Sequence, residues 1–120
     1  MLNPLLCEGQ IHGGIGQGIG QALFENLVYD PDSGQLVTGS FQDYCMPRAD
    51  NFCPFELAEN STPTDRNPLG VKGVGEAGTI GSIPAVMNAV NDALAAIGAP
   101  PVGLPATAEK LWRAIRQGQF

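Results

Sequence analysis

The 120-residue sequence predicts an α+β fold, on three observations. Apolar residues recur at a helical period near the start of the chain. A turn-rich segment then separates two short runs of β-forming residues. Two helical stretches with cap residues follow near the end. The length is that of one ordinary domain and is sufficient for a hydrophobic core.

The first predicted element is a glycine-rich helix over residues 10–27, because apolar residues occupy every fourth position there. These residues are Ile11, Ile15, Ile19, Leu23 and Leu27. Each glycine in the same stretch disfavours a helix by up to ~1 kcal/mol relative to alanine. We therefore expect this helix to pack tightly against a neighbouring backbone or a bulky ligand.

The middle of the chain predicts β structure. A β-hairpin is expected over residues 27–38, because the turn-forming residues 30–34 lie between two β-forming runs. Residues 55–59 alternate apolar and polar side chains, which predicts a short strand. Residues 61–68 are polar and contain two prolines, which predicts a surface loop.

The end of the chain predicts two helices. Ser82 is a suitable N-cap residue, Pro84 suits a first helical turn, and Gly98 is typical of a helix end. Thr107 predicts the cap of a last helix over residues 108–116.

Acidic residues outnumber basic ones by 12 to 6, which gives a net charge of −6. A negative field repels polyanions, so we expect neither nucleic acid nor a membrane among the partners. The sequence has no apolar run of membrane-spanning length and no signal-peptide pattern, so we expect a cytoplasmic location. The three cysteines lack metal-site spacing and are expected to be reduced thiols.

A glycine-rich segment over residues 69–81 contains Gly-x-Gly-x-x-Gly at 73–78. Dinucleotide-binding folds use this pattern, but here Pro68 precedes it, no β-α-β unit surrounds it, and Glu76 occupies the place of the pyrophosphate. A carboxylate with small neighbours suits a general base, and Lys72 and nearby backbone amides would keep it ionised. Composition alone favours the simpler interpretation that Glu76 is a surface glutamate.

The earlier glycine-rich segment, residues 9–20, has Gln10 and His12 near a predicted helix start. Free backbone amides at such a place favour anionic or amide-rich ligands, although Gln10 at this spacing also suits a residue that faces water. His12 is the only histidine, so we expect no metal ligands in this chain and a structural hydrogen bond for His12. Cys45 has no nearby histidine, which argues against a thiolate nucleophile.

Several segments, taken in order, resemble a known family over essentially the whole chain. They are residues 3–6, 9–20, 43–49, 67–81 and 108–115. They closely resemble the C-terminal part of the molybdenum-binding large subunit of the xanthine dehydrogenase, aldehyde oxidase and carbon monoxide dehydrogenase family. The resemblance implies that residues 1–120 are an incomplete C-terminal part of a molybdopterin-binding domain.

The resemblance also implies roles for individual residues. Glu76 stands at the position of the family's catalytic base, which accepts a proton as an electrophilic carbon is attacked. Gln10 matches a glutamine that hydrogen-bonds the pterin, and the backbone of Gly73, Val74 and Gly75 would bring Glu76 to the metal. The implied activity is that of an oxidoreductase that hydroxylates an aldehyde, an N-heterocycle or a similar small substrate.

The implied cofactor is molybdenum-molybdopterin, in its cytosine dinucleotide form. The resemblance places 2Fe-2S clusters and FAD in partner domains or subunits. The implied partners are the rest of the large subunit, the iron-sulfur and flavin subunits, and a small-molecule substrate. The chain alone is expected not to hold molybdenum, because in the family the other pterin-binding loops belong to parts of the large subunit outside residues 1–120. Two alternatives stay open: a catalytically silent fragment, or a small docking module that completes a molybdenum subunit.

Overall fold

The computed structural model describes residues 1–118 and contains three α-helices. Helix α1 spans Pro4–Leu23, α2 spans Ala77–Ala96, and α3 spans Ala108–Gly118. A single 3-10 turn lies at Ala49–Asn51. No β-strand forms within residues 1–118, so the predicted α+β fold class is wrong. The chain is helical, with a long irregular segment between α1 and α2.

The predicted glycine-rich helix is present as α1, with both ends nearer the N-terminus than expected. Its start is set by Asn3, whose side-chain oxygen accepts a hydrogen bond from the Leu6 amide at 3.1 Å. Pro4 follows at the first helical position, where its missing N–H costs no helical hydrogen bond. At the other end, the amides of Phe24 and Glu25 both donate to the Gly20 carbonyl at 2.9 Å.

Helices α1 and α2 pack directly on each other through glycines. A Cβ atom built on Gly14 would lie 3.1 Å from the Gly78 Cα. A Cβ atom built on Gly18 would lie 1.9 Å from the Ser82 hydroxyl oxygen. The expected close packing of the glycine-rich helix on a neighbouring backbone is therefore confirmed. This contact replaces the stability that the glycines remove from the isolated helix.

The start of α2 differs from the prediction. Ser82 and Pro84 lie inside the helix, which begins at Ala77, so neither residue is at its first turn. The glycine-rich sequence disfavours a helix locally, but the contact of Gly78 with α1 stabilises the additional turn. The predicted end is confirmed, because Gly98 has a φ of 71° and its amide donates to the Ala95 carbonyl at 3.0 Å.

A small hydrophobic cluster joins the end of α2 to α3. Its buried members are Leu94, Ala99 and Ala114, with half-buried residues packed around them. The Asn91 side chain fixes the connecting segment, since it accepts from the Val102 amide at 2.9 Å and donates to the Val102 carbonyl at 3.3 Å.

The hydroxyl of Thr107 accepts a hydrogen bond from the Lys110 amide at 3.4 Å, which confirms the predicted cap of α3. The same connecting segment is tied back to α1, because the Ala106 amide donates to the Ala22 carbonyl at 2.7 Å. None of the helices within residues 1–118 has the length and apolar character needed to cross a bilayer.

The predicted β-hairpin and strand are both wrong. Over residues 27–38 the chain makes a turn with one isolated bridge, between Tyr29 and Leu36, and no paired strands. The turn chemistry is as expected, because Asp30 accepts a hydrogen bond from the Ser33 amide at 2.8 Å. The flanking residues lack a third strand or a covering helix, and a two-stranded hairpin alone is marginal in water. Residues 55–59 have no partner strand and are irregular.

Candidate functional site

The entry into α2 brings two predicted site residues close together. Glu76 is the N-cap residue of α2, and its carbonyl accepts a hydrogen bond from the Ile80 amide at 3.0 Å. Gln10 lies on α1, where its Oε1 atom is 3.5 Å from the position that a Cβ atom would take on Gly75. An exposed amide and an exposed carboxylate from distant parts of the sequence therefore lie near the same turn.

Thr79 joins this turn to α1. Its hydroxyl donates to the Gly14 carbonyl at 3.0 Å, and the Gln17 side-chain amide lies 3.1 Å from the same hydroxyl. Residues later in α1 contact residues later in the segment that begins α2: Gln10 contacts residue 75, and Gly14 contacts residues 78 and 79. No role for Thr79 is predicted from the sequence, because spacing does not indicate a hydrogen-bond partner 65 residues away.

A cleft of about 790 Å³ lies beside this contact. It is lined by residues from the first eleven positions of the chain, by residues 58–63 and 69–74, and by Ala77. Gln10, Gly73 and Val74 are among the lining residues, and Glu76 lies in sequence between the lining residues Val74 and Ala77. The volume is within the range of small-molecule and cofactor sites, ~300–1,000 Å³. Of the predicted site residues, Gln10, Gly73 and Val74 thus line this cleft, and Gly75 and Glu76 follow Val74 in the sequence.

The charges around Glu76 differ from the prediction in one respect. Lys72 donates to the Thr62 hydroxyl at 3.1 Å, and within residues 1–118 it forms no ion pair with Glu76. Glu76 is the N-cap residue of α2, and its side chain makes no capping hydrogen bond.

The remaining candidates lie away from this arrangement. The exposed ring of His12 packs edge-on against Phe55, with 5.4 Å between ring centroids, and makes no side-chain hydrogen bond among residues 1–118. The expected structural hydrogen bond of His12 is therefore not formed. Cys7, Cys45 and Cys53 are free thiols. In the described part of the chain, no three or more His, Cys, Asp or Glu side chains converge as metal ligands.

Comparisons with known proteins connect this arrangement to a family. A sequence profile of the molybdopterin cofactor-binding domain matches residues 1–53. The chain is 50% identical over 116 residues to the large subunit of nicotine 6-hydroxylase from Paenarthrobacter nicotinovorans, covering 97% of this chain and 14% of that protein. The chain belongs to the family of molybdenum-binding large subunits. The carbon monoxide dehydrogenase large chain of Afipia carboxidovorans, another family member, is 36% identical over 116 residues, with coverage of 97% and 14%.

Solved structures contain the same fold as this chain. Quinoline 2-oxidoreductase from Pseudomonas putida 86 superposes on this chain with a TM-score of 0.90 at 43% identity, covering 98% of this chain and 15% of that chain. The resemblance found in the sequence is thus confirmed. The chain spans about 14% of the length of the large subunits quoted above.

Proposed function

We propose that this chain is one part of a larger molybdenum-cofactor-binding domain, and that it contributes pterin contacts and the general base of a molybdenum hydroxylase. The observation that carries the proposal is the approach of Gln10, which lines the cleft, to Gly75, the residue directly before Glu76. The family is a molybdopterin-binding one, and the cleft has the volume of a cofactor site.

The residues at the cleft fit a pterin. The Gln10 side chain is exposed, and an amide both donates and accepts hydrogen bonds, as the polar edge of a pterin requires. A Cβ atom on Gly73 would meet nothing within 4 Å, so the backbone there is open to a close approach. We assign Gln10 and the backbone of Gly73, Val74 and Gly75 to cofactor binding. The cytosine dinucleotide form of the cofactor follows from the resemblance to bacterial members.

Glu76 is assigned the role of general base. The cofactor, when bound, supplies the two-electron redox chemistry of the reaction. The exposed Glu76 carboxylate, flanked by Gly75 and Ala77, has room to receive a proton at one of its oxygens from the attacking nucleophile.

The substrate class is an aldehyde, an N-heterocycle or a similar small molecule. An N-heterocycle is favoured, because two of the relatives quoted above are named for nicotine and quinoline, which both contain an aromatic nitrogen ring. Subunits that carry 2Fe-2S clusters and FAD are proposed to take the electrons away from this site. A cytoplasmic location is proposed from the three free thiols, which suit a reducing compartment.

The exposed apolar surface supports a part within a larger subunit. Phe41, Leu5 and Leu2 are 82%, 79% and 73% exposed, whereas the buried hydrophobic residues among those described are four alanines and Leu94. Soluble monomers rarely expose large contiguous apolar patches, because water disfavours them. We propose that the rest of the molybdenum-binding subunit covers this surface.

The proposed role of Glu76 is tested by Glu76→Gln in the molybdenum enzyme that contains this segment. The substitution keeps the size of the side chain and removes its ability to accept the proton. We expect kcat per bound molybdenum to fall by ~10²-fold or more. The matched control is Glu109→Gln on α3, an exposed carboxylate paired with Arg113, which is expected to keep the wild-type rate. Retention of activity within a few-fold by Glu76→Gln would remove Glu76 as the base.

A further inference from the structure

We propose that Thr79 is a positioning residue that holds Glu76 in register with Gln10, an inference that rests on the proposed role of Glu76. Thr79 lies in the first turn of α2, three residues after Glu76. Its hydroxyl does not cap its own helix. Instead it reaches across to α1 and donates to the Gly14 carbonyl at 3.0 Å.

The contact is specific because the two backbones are already adjacent. A Cβ atom on Gly14 would be 3.1 Å from both the Gly78 Cα and the Thr79 amide nitrogen. Any side chain at residue 14 would press on this backbone, so glycine there favours the close approach at which the Thr79 hydroxyl reaches the carbonyl. The Gln17 Oε1 atom lies 3.1 Å from the same hydroxyl and is a second acceptor on α1 for its one hydrogen.

The position of this contact determines what it fixes. Gln10 lies one helical turn before Gly14 on α1, and Glu76 lies directly before the first turn of α2. A hydrogen bond between Gly14 and Thr79 therefore restricts how far Glu76 can slide or rotate relative to Gln10. Without it, the glycine contacts still hold the two helices together, but the first turn of α2 loses one restraint on its position along α1, and Glu76 loses that restraint with it. A displacement of about 1 Å at a catalytic group is enough to slow turnover by up to ~10²-fold.

The test uses the assembled molybdenum enzyme with Thr79→Val, which keeps the side-chain shape and removes the hydroxyl. We expect kcat per bound molybdenum to fall about ten-fold, with KM changed by less than about two-fold. Thr79→Ser restores the hydroxyl and is expected to restore kcat. The matched control is Ser82→Ala, one turn further along α2, because the Ser82 hydroxyl bonds only within its own helix, to the Thr79 carbonyl at 3.4 Å.

A double-mutant cycle separates positioning from a general structural role. If Thr79 acts through Glu76, Thr79→Val has little effect on the rate in a Glu76→Gln background. The molybdenum content and the thermal unfolding midpoint of Thr79→Val are expected to equal those of the wild type. Equal rate losses in both backgrounds, or a Thr79→Val subunit that fails to assemble or to hold molybdenum, would overturn the inference and assign Thr79 to folding.

The same cycle distinguishes this inference from the proposed function. If Glu76→Gln is slow and Thr79→Val has the wild-type kcat, only the role of Thr79 is wrong. If Glu76→Gln itself turns over like the wild type, the proposed base is wrong, and the positioning role is overturned with it.

Discussion

Gly14 and Gly78 are in backbone contact where α1 meets α2. A Cβ atom on Gly78 would lie 2.7 Å from the Ile11 carbonyl oxygen and 2.8 Å from the Ile15 amide nitrogen. Both of these atoms belong to the backbone of α1 and have no freedom to move aside. The contact therefore requires glycine at residue 78, and the approach of Gln10 to Gly75 follows from it.

Gly78→Ala is expected to separate the two helices and to lower the free energy of unfolding by about 2–3 kcal/mol. Gly81→Ala is the matched control in the same helix, because a Cβ atom there would meet nothing within 4 Å. It is expected to stabilise the chain by about 0.5–1 kcal/mol, through the higher helix propensity of alanine. Urea unfolding followed by helical circular dichroism measures both. Similar midpoints for the two variants would contradict the backbone contact.

A second prediction concerns Gly18 and Ser82. A Cβ atom on Gly18 would lie 1.9 Å from the Ser82 hydroxyl oxygen and 3.0 Å from the Thr79 carbonyl oxygen. Gly18→Ala is expected to destabilise the helix pair, and Ser82→Ala is expected to relieve part of the loss by removing the hydroxyl. A double-mutant cycle should give a coupling free energy of about 1 kcal/mol. Strict additivity of the two substitutions would show that the helices separate without a specific clash.

The Asn91 side chain is predicted to hold the segment between α2 and α3. It makes two hydrogen bonds to the backbone of Val102, and removing both is expected to cost about 2 kcal/mol. Asn91→Ala is therefore compared with Asn88→Ala, an exposed asparagine in the same helix. Only the former should lower the unfolding midpoint clearly. Equal midpoints would mean that the apolar cluster around Leu94 holds the segment without Asn91.

The turn after α1 is expected to depend on pH through Tyr44 and Glu25. The Tyr44 hydroxyl donates to the Glu25 carboxylate, and this hydrogen bond raises the pKa of Tyr44 above its usual value of 10.0, with burial and the negative charge of Glu25 adding to the shift. The folded state thus favours the protonated phenol. Its contribution is fully present below the unfolded pKa of about 10 and is lost as the pH rises through the higher folded value.

A titration followed by phenolate absorbance tests this relationship. In a Tyr29→Phe background Tyr44 is the remaining tyrosine, since the sequence has 2. The midpoint is expected above the usual tyrosine value, and Glu25→Gln is expected to lower it. An unchanged midpoint after Glu25→Gln would show that the carboxylate does not control the Tyr44 proton.

The sequence predicted the helices better than the middle of the chain, for physical reasons. Apolar spacing and local cap chemistry indicated the core of α1, the end of α2 at Gly98 and the start of α3 at Thr107. The start of α2 was missed, because glycine at residue 78 disfavours a helix locally and becomes helical only against α1. The hairpin was wrong, because the turn at Asp30 formed as expected while its flanks found no further strand.

The residues of the candidate site could be predicted from the sequence, but their arrangement in space could not. Gln10, Glu76 and the neighbouring glycines came from glycine patterning and from the resemblance. Their closeness depends on the contact between α1 and α2, which no local pattern encodes. Thr79 has no sequence signal at all, because its partner is distant along the chain.

Gly73 and Gly103 form a matched pair of glycines that tests the proposed position of the pterin. A Cβ atom on Gly73 or on Gly103 would meet nothing within 4 Å, so alanine is expected to fit at both positions with an unchanged fold. Gly73 lines the cleft proposed for the pterin, whereas Gly103 lies in the connection to α3. A methyl group at residue 73 would project into space that the cofactor needs. Gly73→Ala is therefore expected to lower the molybdenum-to-protein ratio of the assembled enzyme, and Gly103→Ala is expected to leave it unchanged. Metal analysis of the two purified enzymes at equal thermal stability decides the matter, since a full molybdenum content in Gly73→Ala would place the pterin away from this loop.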